Sequence, residues 1–420
     1  MANSEHLALI EQGTEVWNSW YKKHKRIVPD LTQANLSNLN LSGINLKKAN
    51  LKQANLSNAD LSKAQLNNAD LSKANLLGSN LSDSNLKGAN LDFAILFNAV
   101  LNRHTVISSK YRQVHKIVNN QCETKDFTGI DLSNSNLFRA DLSNAELSQA
   151  KLTNVNFNSA NLSNAYLHKA DLTGANLQNA NLSNAYLSQA NLTNAYLGEA
   201  LCCGTYFKDA ELKFANLKAA KLSHKTMIDL KWYSVWEIVN RGAAKKNLSG
   251  ADLSYANLQG VDFEEANLTN AKLSKAILRR SNLTNANLTN TDLVGANVCG
   301  VDLDRANLKG AKLKSVISDR HTQLAVASSS KTNLLVKEKP LAESVAKSEP
   351  STDIVPETTV SPATTSPKSS QSGKSGLGIL TLCAIAVLVG GGYVFWTQNP
   401  DYPWSAKLET WKGQLEQLMP

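Results

Sequence analysis

Seven histidines, five cysteines and 35 carboxylates are the side chains of this sequence most able to do chemistry, and their spacing argues against it. His6, His24, His104, His115, His168, His224 and His321 form no His-Glu-x-x-His and pair with no cysteine in a zinc-like pattern. Cys122, Cys202, Cys203, Cys299 and Cys383 contain no Cys-x-x-Cys and read as free thiols of a reducing compartment. There is no P-loop, no Gly-x-Ser-x-Gly and no Gly-x-Gly-x-x-Gly. Carboxylates such as Asp60, Asp70 and Asp131 recur at one fixed step of a repeat, where a turn needs a short polar side chain. The sequence therefore points to no catalytic residue, no cofactor, no metal and no small-molecule substrate.

The step that places those carboxylates is five residues long. From Leu31 every fifth residue to Leu101 is Leu, fifteen positions in succession. A second run of twenty goes from Phe127 to Leu222, broken only by Phe157, Cys202 and Phe207. A third, of fourteen, goes from Leu248 to Leu313, with Phe263 and Val298 as its departures. Ala mostly stands two before the leucine, Asn or Asp one before, and Ser or Thr just after. A helix would scatter these leucines around its circumference and a strand would alternate them between faces. The chain must turn once per repeat, with Leu and Ala inward and three mostly polar residues outward. Cys202 takes a leucine position and is expected to be a small core residue.

Ala-Asn-Leu-Ser-Asn, Ala-Asp-Leu-Ser-Lys and Ala-Tyr-Leu-Ser-Gln make the chain resemble the pentapeptide-repeat family, whose motif is A-(N/D)-L-x-x. Members with many such repeats and helical breaks look most like the cyanobacterial, membrane-anchored ones. The resemblance implies a β-solenoid, a right-handed quadrilateral β-helix with four pentapeptides per coil and about twelve coils. At roughly 4.8 Å per coil a continuous rod would be about 60 Å long.

Two interruptions separate the runs, and they are copies of each other. Thr105, Ile107, Lys110, Tyr111, Val114, Ile117, Val118 and Asn119 recur 121 residues later as Thr226, Ile228, Lys231, Trp232, Val235, Ile238, Val239 and Asn240. Trp232, Val235, Trp236 and Val239 share one helical face. Leu7, Ile10, Thr14, Trp17 and Tyr21 make a similar stripe ahead of Pro29. The organisation expected is a cap helix in 1–30, repeat blocks at 31–101, 127–222 and 248–318, and amphipathic helices in 102–126 and 223–247. Each helix should cap an open leucine stack, because the ends of a stacked array cannot bury themselves.

Of the net charge of +9, each interruption carries +3, while the three blocks carry +2, 0 and +1. Lys231, Arg241, Lys245 and Lys246, with Lys110, Arg112 and Lys116, are thus candidates for an acidic partner or lipid head groups. A second candidate surface is aromatic. Tyr166, Tyr186 and Tyr206 stand where Asn or Asp is the rule and are twenty residues apart. With four repeats per coil they should stack on one face, either as a ladder of rings that adds local stability or as an aromatic strip for a protein partner.

Residues 319–376 are rich in Ser, Thr, Lys, Glu and Pro and read as a disordered linker, averaging roughly 40–45 Å end to end. Leu377–Trp396 is twenty residues without a charge, about 30 Å as a helix, and is expected to be a single transmembrane helix. Lys368 and Lys374 precede it, and Tyr393, Trp396, Tyr402 and Trp404 fit an aromatic belt. Residues 397–420 carry Trp404, Leu408, Trp411, Leu415 and Leu418 at helical spacing and read as an amphipathic interfacial tail. With no secretory signal at the N-terminus, the solenoid is expected in the cytoplasm and the tail outside or in a lumen, at a plasma or thylakoid membrane. The function expected is a membrane-tethered, non-catalytic scaffold for protein partners. The alternative, a DNA mimic that shields a topoisomerase as some family members do, requires strongly acidic faces. These faces are near neutral, and no nucleic-acid partner is expected.

Overall fold

The computed structural model describes residues 1–319 except 304, Thr322, and two short strands near the C-terminus. The chain divides into two units, Met1–Lys337 and Glu338–Pro420.

In the first unit the repeat geometry follows from three backbone facts. The residue before each leucine makes a parallel bridge with the residue twenty further on, as in Asn50↔Asp70↔Asn90. Leu51 N–H donates to the Asp70 carbonyl at 2.8 Å, and Asp70 N–H donates back to Ala49 at 2.9 Å. At each corner the alanine closes a four-residue turn on the preceding leucine, as Ala54 N–H does on Leu51 at 3.0 Å. A five-residue step and a twenty-residue bridge give four repeats per coil. The second residue after the leucine takes a positive φ at nearly every corner, 59° at Gln53 and 56° at Asn58. Asn tolerates that region better than most residues do.

The outward Asn or Asp has a structural duty. Its Oδ1 accepts the backbone N–H two residues on, as Asp60 does from Ser62 at 2.9 Å. Its amide can also bond the coil below, as Asn75 Nδ2 does to Asn55 Oδ1 at 3.2 Å. Inside, leucine and alanine are fully buried through the middle of every block, and Cys202 is buried among them as expected. Among the described residues of this unit the strands are otherwise single bridges; β1 (Leu201–Cys202) and β2 (Lys221–Leu222) are longer, paired in parallel.

The N-terminal cap is two helices, not one: α1 (Ser4–Glu11) and α2 (Thr14–Lys23), broken at Gly13 with φ 106°. The interruptions hold α3 (Ser109–Val118) and α4 (Leu230–Arg241). Each helix holds the stack with one asparagine that stands in for a missing coil. Asn119 Oδ1 accepts from Asn98 N–H (2.7 Å) while its Nδ2 donates to the Leu96 carbonyl (3.1 Å). Asn240 does the same for Ala219 (2.6 Å) and Leu217 (3.0 Å). At the other end of the array Asn18 accepts from Asn45 N–H (2.8 Å) and donates to the Gly43 carbonyl (3.1 Å). A ring nitrogen adds a second anchor in each case: Trp17 to Asn45, His115 to Ala99 and Trp236 to Ala220.

The helices do not separate the blocks. Phe93 N–H reaches past α3 to the Asn134 carbonyl at 2.7 Å, and Phe214 N–H past α4 to Tyr255 at 2.8 Å. A single apolar cluster runs from Ile10 to Val316. Each block ends on one threonine turn: Thr105 Oγ1 donates to Leu81, Thr226 to Cys202 and Thr322 to Val298.

The transmembrane helix expected over Leu377–Trp396 is not what the described part of that segment forms. Ile385–Val389 and Gly392–Trp396 are antiparallel strands, β3 and β4. No helix among the described residues is long and apolar enough to cross a membrane. An apolar run alone does not distinguish helix from strand. This one is rich in Ile, Val, Tyr, Phe and Trp, which favour strands. The linker, apart from Asp319 and Thr322, and the amphipathic tail lie outside the described residues.

Two outcomes follow from the joints. Asn240→Ala removes three backbone-directed hydrogen bonds, to the Ala219 N–H and the Leu217 and Trp236 carbonyls, so chemical denaturation should show a loss of about 1–3 kcal/mol. His115 is buried, and burial holds its pKa below the ordinary 6.5, against the Ala99 hydrogen bond that raises it. As pH falls through that ordinary value the unfolded chain takes up the proton first. The His115 contribution to stability is therefore complete above about pH 6.5 and declines below it. The melting temperature should fall between pH 7.5 and 5.5, and His115→Phe should remove that part of the slope.

Candidate interaction surface

The three tyrosines meet as their spacing requires. Tyr166 bridges Tyr186 and Tyr186 bridges Tyr206 in one column. The Tyr166 and Tyr186 rings stack 4.9 Å apart at 3°. Tyr186 and Tyr206 open to 6.4 Å and 43°. Tyr166 and Tyr186 are each 46% exposed. The column continues upward to Met227, 48% exposed and bridged to Tyr206. Three residues later α4 opens with Leu230, 72% exposed, and Tyr233 follows one turn on, 38% exposed.

The first module shows how unusual this column is. The 121-residue offset places Asn45, Gln65 and Asn85 where the second module has Tyr166, Tyr186 and Tyr206. Their bridges run Asn45↔Gln65↔Asn85↔Val106, matching Tyr166↔Tyr186↔Tyr206↔Met227. Ser109 and Arg112 stand where Leu230 and Tyr233 are. The backbone is the same and the outward side chains are not.

Stability does not select the tyrosines. Each gives up the Oδ1 cap that Asn or Asp would place on the N–H two residues later, at about 0.5 kcal/mol for an exposed bond. One parallel ring pair returns about 0.5–1.5 kcal/mol. The tilted Tyr186–Tyr206 pair returns less, so three lost caps and two ring contacts roughly cancel, while apolar surface remains in water.

The basic joint residues turn to local partners. Lys231 Nζ lies 3.3 Å from Asp252 and 2.8 Å from Ser254 Oγ, and sits over the rings of Trp232 and Tyr255. Arg241 pairs with Glu237 at 3.3 Å and covers Trp236. Lys245 lies 3.9 Å from Glu265. Lys246 alone of these four has no ion pair or ring contact among the described residues. In the first joint Lys110 pairs with Asp92 at 3.2 Å, and Arg112 bonds the Asn102 and Thr105 carbonyls. Lys110 and Lys231 hold α3 and α4 to corners of the stack, whereas Arg241 pairs within α4. Sequence reading missed the gathering of Lys213, Lys231 and Lys275 around the Tyr255 ring, because the three belong to different coils. Among the described residues no group of His, Cys, Asp and Glu could hold a metal ion.

Comparison with known proteins bears on the repeat itself. The family described as Pentapeptide repeats matches in eight copies, over residues 30–67, 64–103, 126–154, 150–189, 185–223, 247–285 and 281–317. The chain belongs to the pentapeptide-repeat family. Proteins of this family adopt the right-handed quadrilateral β-helix. Similar solved structures include HetL, a pentapeptide repeat protein involved in heterocyst differentiation regulation from the cyanobacterium Nostoc sp. PCC 7120. It is 27% identical, with 70% of this chain and 91% of that chain covered and a TM-score of 0.16. A pentapeptide repeat protein of the Arabidopsis thaliana thylakoid lumen is 28% identical, covering 26% of this chain and 74% of that one, with a TM-score of 0.18. QnrB1, a plasmid-mediated fluoroquinolone resistance protein, is 19% identical over 47% of this chain and 89% of that one, with a TM-score of 0.17. No curated protein matches the chain.

Because Asn is the repeat's own residue at that step, Tyr186→Asn should leave stability within about 0.5 kcal/mol of the parent. A thermal melt checks this, and a drop beyond about 2 kcal/mol would mean that the ladder is structural.

Proposed function

We propose that this pentapeptide-repeat protein is a non-catalytic interaction scaffold, and that a protein partner docks along the strip from Tyr166 to Met227 and onto Leu230 and Tyr233 of α4. One observation carries the reading: two modules share a backbone, and only the second exposes an apolar column on it. Burying the exposed half of three of those side chains against a partner would contribute roughly 1 kcal/mol each before the cost of association. The basic residues at the joints support the helices in this reading and do not form the contact.

Membrane attachment is a separate part of the proposal and rests on the sequence. Leu377–Trp396 has no charge, Lys374 precedes it and Trp404 follows it. In this reading the solenoid lies on the cytoplasmic face and the tail outside or in a lumen. It requires Ile385–Val389 and Gly392–Trp396 to leave the β3–β4 pairing and become helical in lipid, since the open edges of a two-stranded hairpin leave backbone groups unpaired there.

A photoreactive phenylalanine analogue at position 186 of the full chain, expressed in cells, should cross-link a discrete partner, and the same analogue at position 65 should not. Equal cross-linking at both positions would remove the strip from consideration. Alkaline carbonate should leave the chain in the membrane pellet, and deletion of 377–396 should release it; extraction of the intact chain would end the membrane proposal.

A further inference from the structure

The strip has polarity. Below Tyr166 the column continues through Glu146 to Asp126, joined by the bridges Asp126↔Glu146 and Glu146↔Tyr166. Neither carboxylate is in an ion pair among the described residues. Lys125, next to Asp126, turns instead to Asp141 at 3.1 Å and to the Ser143 carbonyl at 3.1 Å. Glu146 accepts the Ser148 N–H at 3.1 Å, and Asp126 accepts the N–H and hydroxyl of Thr128 at 3.1 and 2.8 Å. Asp126 also borders an open depression of about 510 Å³ lined by Gln113, Lys116, Cys122 and Phe127, among others. The column therefore runs from an acidic foot, through aromatic edges, to a thioether and a leucine.

A partner cannot join this face as an added strand. Tyr186 N–H is already given to Ala165 and its carbonyl to Leu167, as at every coil. It must engage side chains that repeat along the solenoid axis once per coil, about 4.8 Å. An α-helix laid along the axis advances about 5.4 Å per turn. From Glu146 to Met227, four coil steps or about 19 Å, it would slip by about 2.4 Å, half a coil. A polyproline II helix advances about 9.3 Å per three-residue turn, close to two coils. Over the same distance its slip is about 0.6 Å. The rings also suit it. Tyr166 and Tyr186 cover each other's faces and present edges and hydroxyls, while Tyr186 and Tyr206 open a wedge of 43°. Phenolic hydroxyls can donate to the free carbonyls of a polyproline II backbone, and aromatic surfaces are what such segments dock on.

We infer that the strip is a docking site for a proline-rich polypeptide in the polyproline II conformation, lying along the solenoid axis with a Lys or Arg at the Glu146 and Asp126 end. The inference rests on the reading of the strip as the partner surface.

The full chain is titrated calorimetrically with three synthetic ten-residue probes: an oligoproline ending in two arginines, the same oligoproline ending in two glutamates, and an amphipathic helical peptide with two arginines. The arginine-ended oligoproline should bind at least tenfold more tightly than either of the others. Tyr186→Asn, and separately Glu146→Gln with Asp126→Asn, should each weaken it at least tenfold, and Gln65→Asn should not change it. Failure of the arginine-ended probe to bind, tighter binding of the helical peptide, or unchanged binding to Tyr186→Asn would each overturn the inference. If position 186 cross-links a partner in cells but the oligoproline fails, only the chemistry of the partner is wrong. If position 186 cross-links no more than position 65, the strip itself falls and this inference with it.

Discussion

The constraint on which this structure depends is that the backbone returns, every twenty residues, to a place where its N–H and C=O groups meet those of the coil before. Leu51 to Asp70 and Asp70 to Ala49 are one instance of a pattern that recurs through all three blocks. It demands a turn every five residues, which demands a residue able to take positive φ, and it leaves room inside for Leu and Ala and little else. Once the backbone is committed in this way, outward side chains have little to do with folding beyond the Asn or Asp cap. That is why the outward positions are where function can be written.

An array of this kind has a difficulty at each end, where a layer of carbonyls and amides has no next coil. Asn18, Asn119 and Asn240 meet it with a side-chain amide, which carries both the donor and the acceptor that a peptide group would have supplied. A helix can present such a residue without continuing the sheet, and Phe93 and Phe214 then hand the ladder on to the next block. The blocks are thereby continuous although their sequence period is broken. The third threonine turn, at Thr322, ends the last block as Thr105 and Thr226 end theirs, and Leu308 and Leu313 there are only partly buried.

Much of this was legible because the sequence states it many times. The five-residue period gave the coil, the 121-residue offset gave the two joints, and the spacing of Tyr166, Tyr186 and Tyr206 gave the column. What was not legible was whatever occurs once or depends on contacts between coils. Gly13 interrupts an apolar stripe that otherwise reads as one helix. The surrogate role of Asn119 and Asn240 cannot be seen until the helix is laid on the stack, although their recurrence was visible. Asp319-Arg320-His321-Thr322 repeats Asn102-Arg103-His104-Thr105 in outline, but it lies where the leucine period has already ended. The apolar run near residue 385 offered no period to choose between helix and strand.

The first and second modules can be compared side chain by side chain only if the coils run unbroken through the joints. Hydrogen exchange at the Phe93 and Phe214 amides tests this most directly, since each donates across a joint. The account predicts protection at both comparable to Leu172, deep within the second block. Rapid exchange at either, against slow exchange at Leu172, would mean that the blocks are separate bodies joined by hinges, and would contradict it.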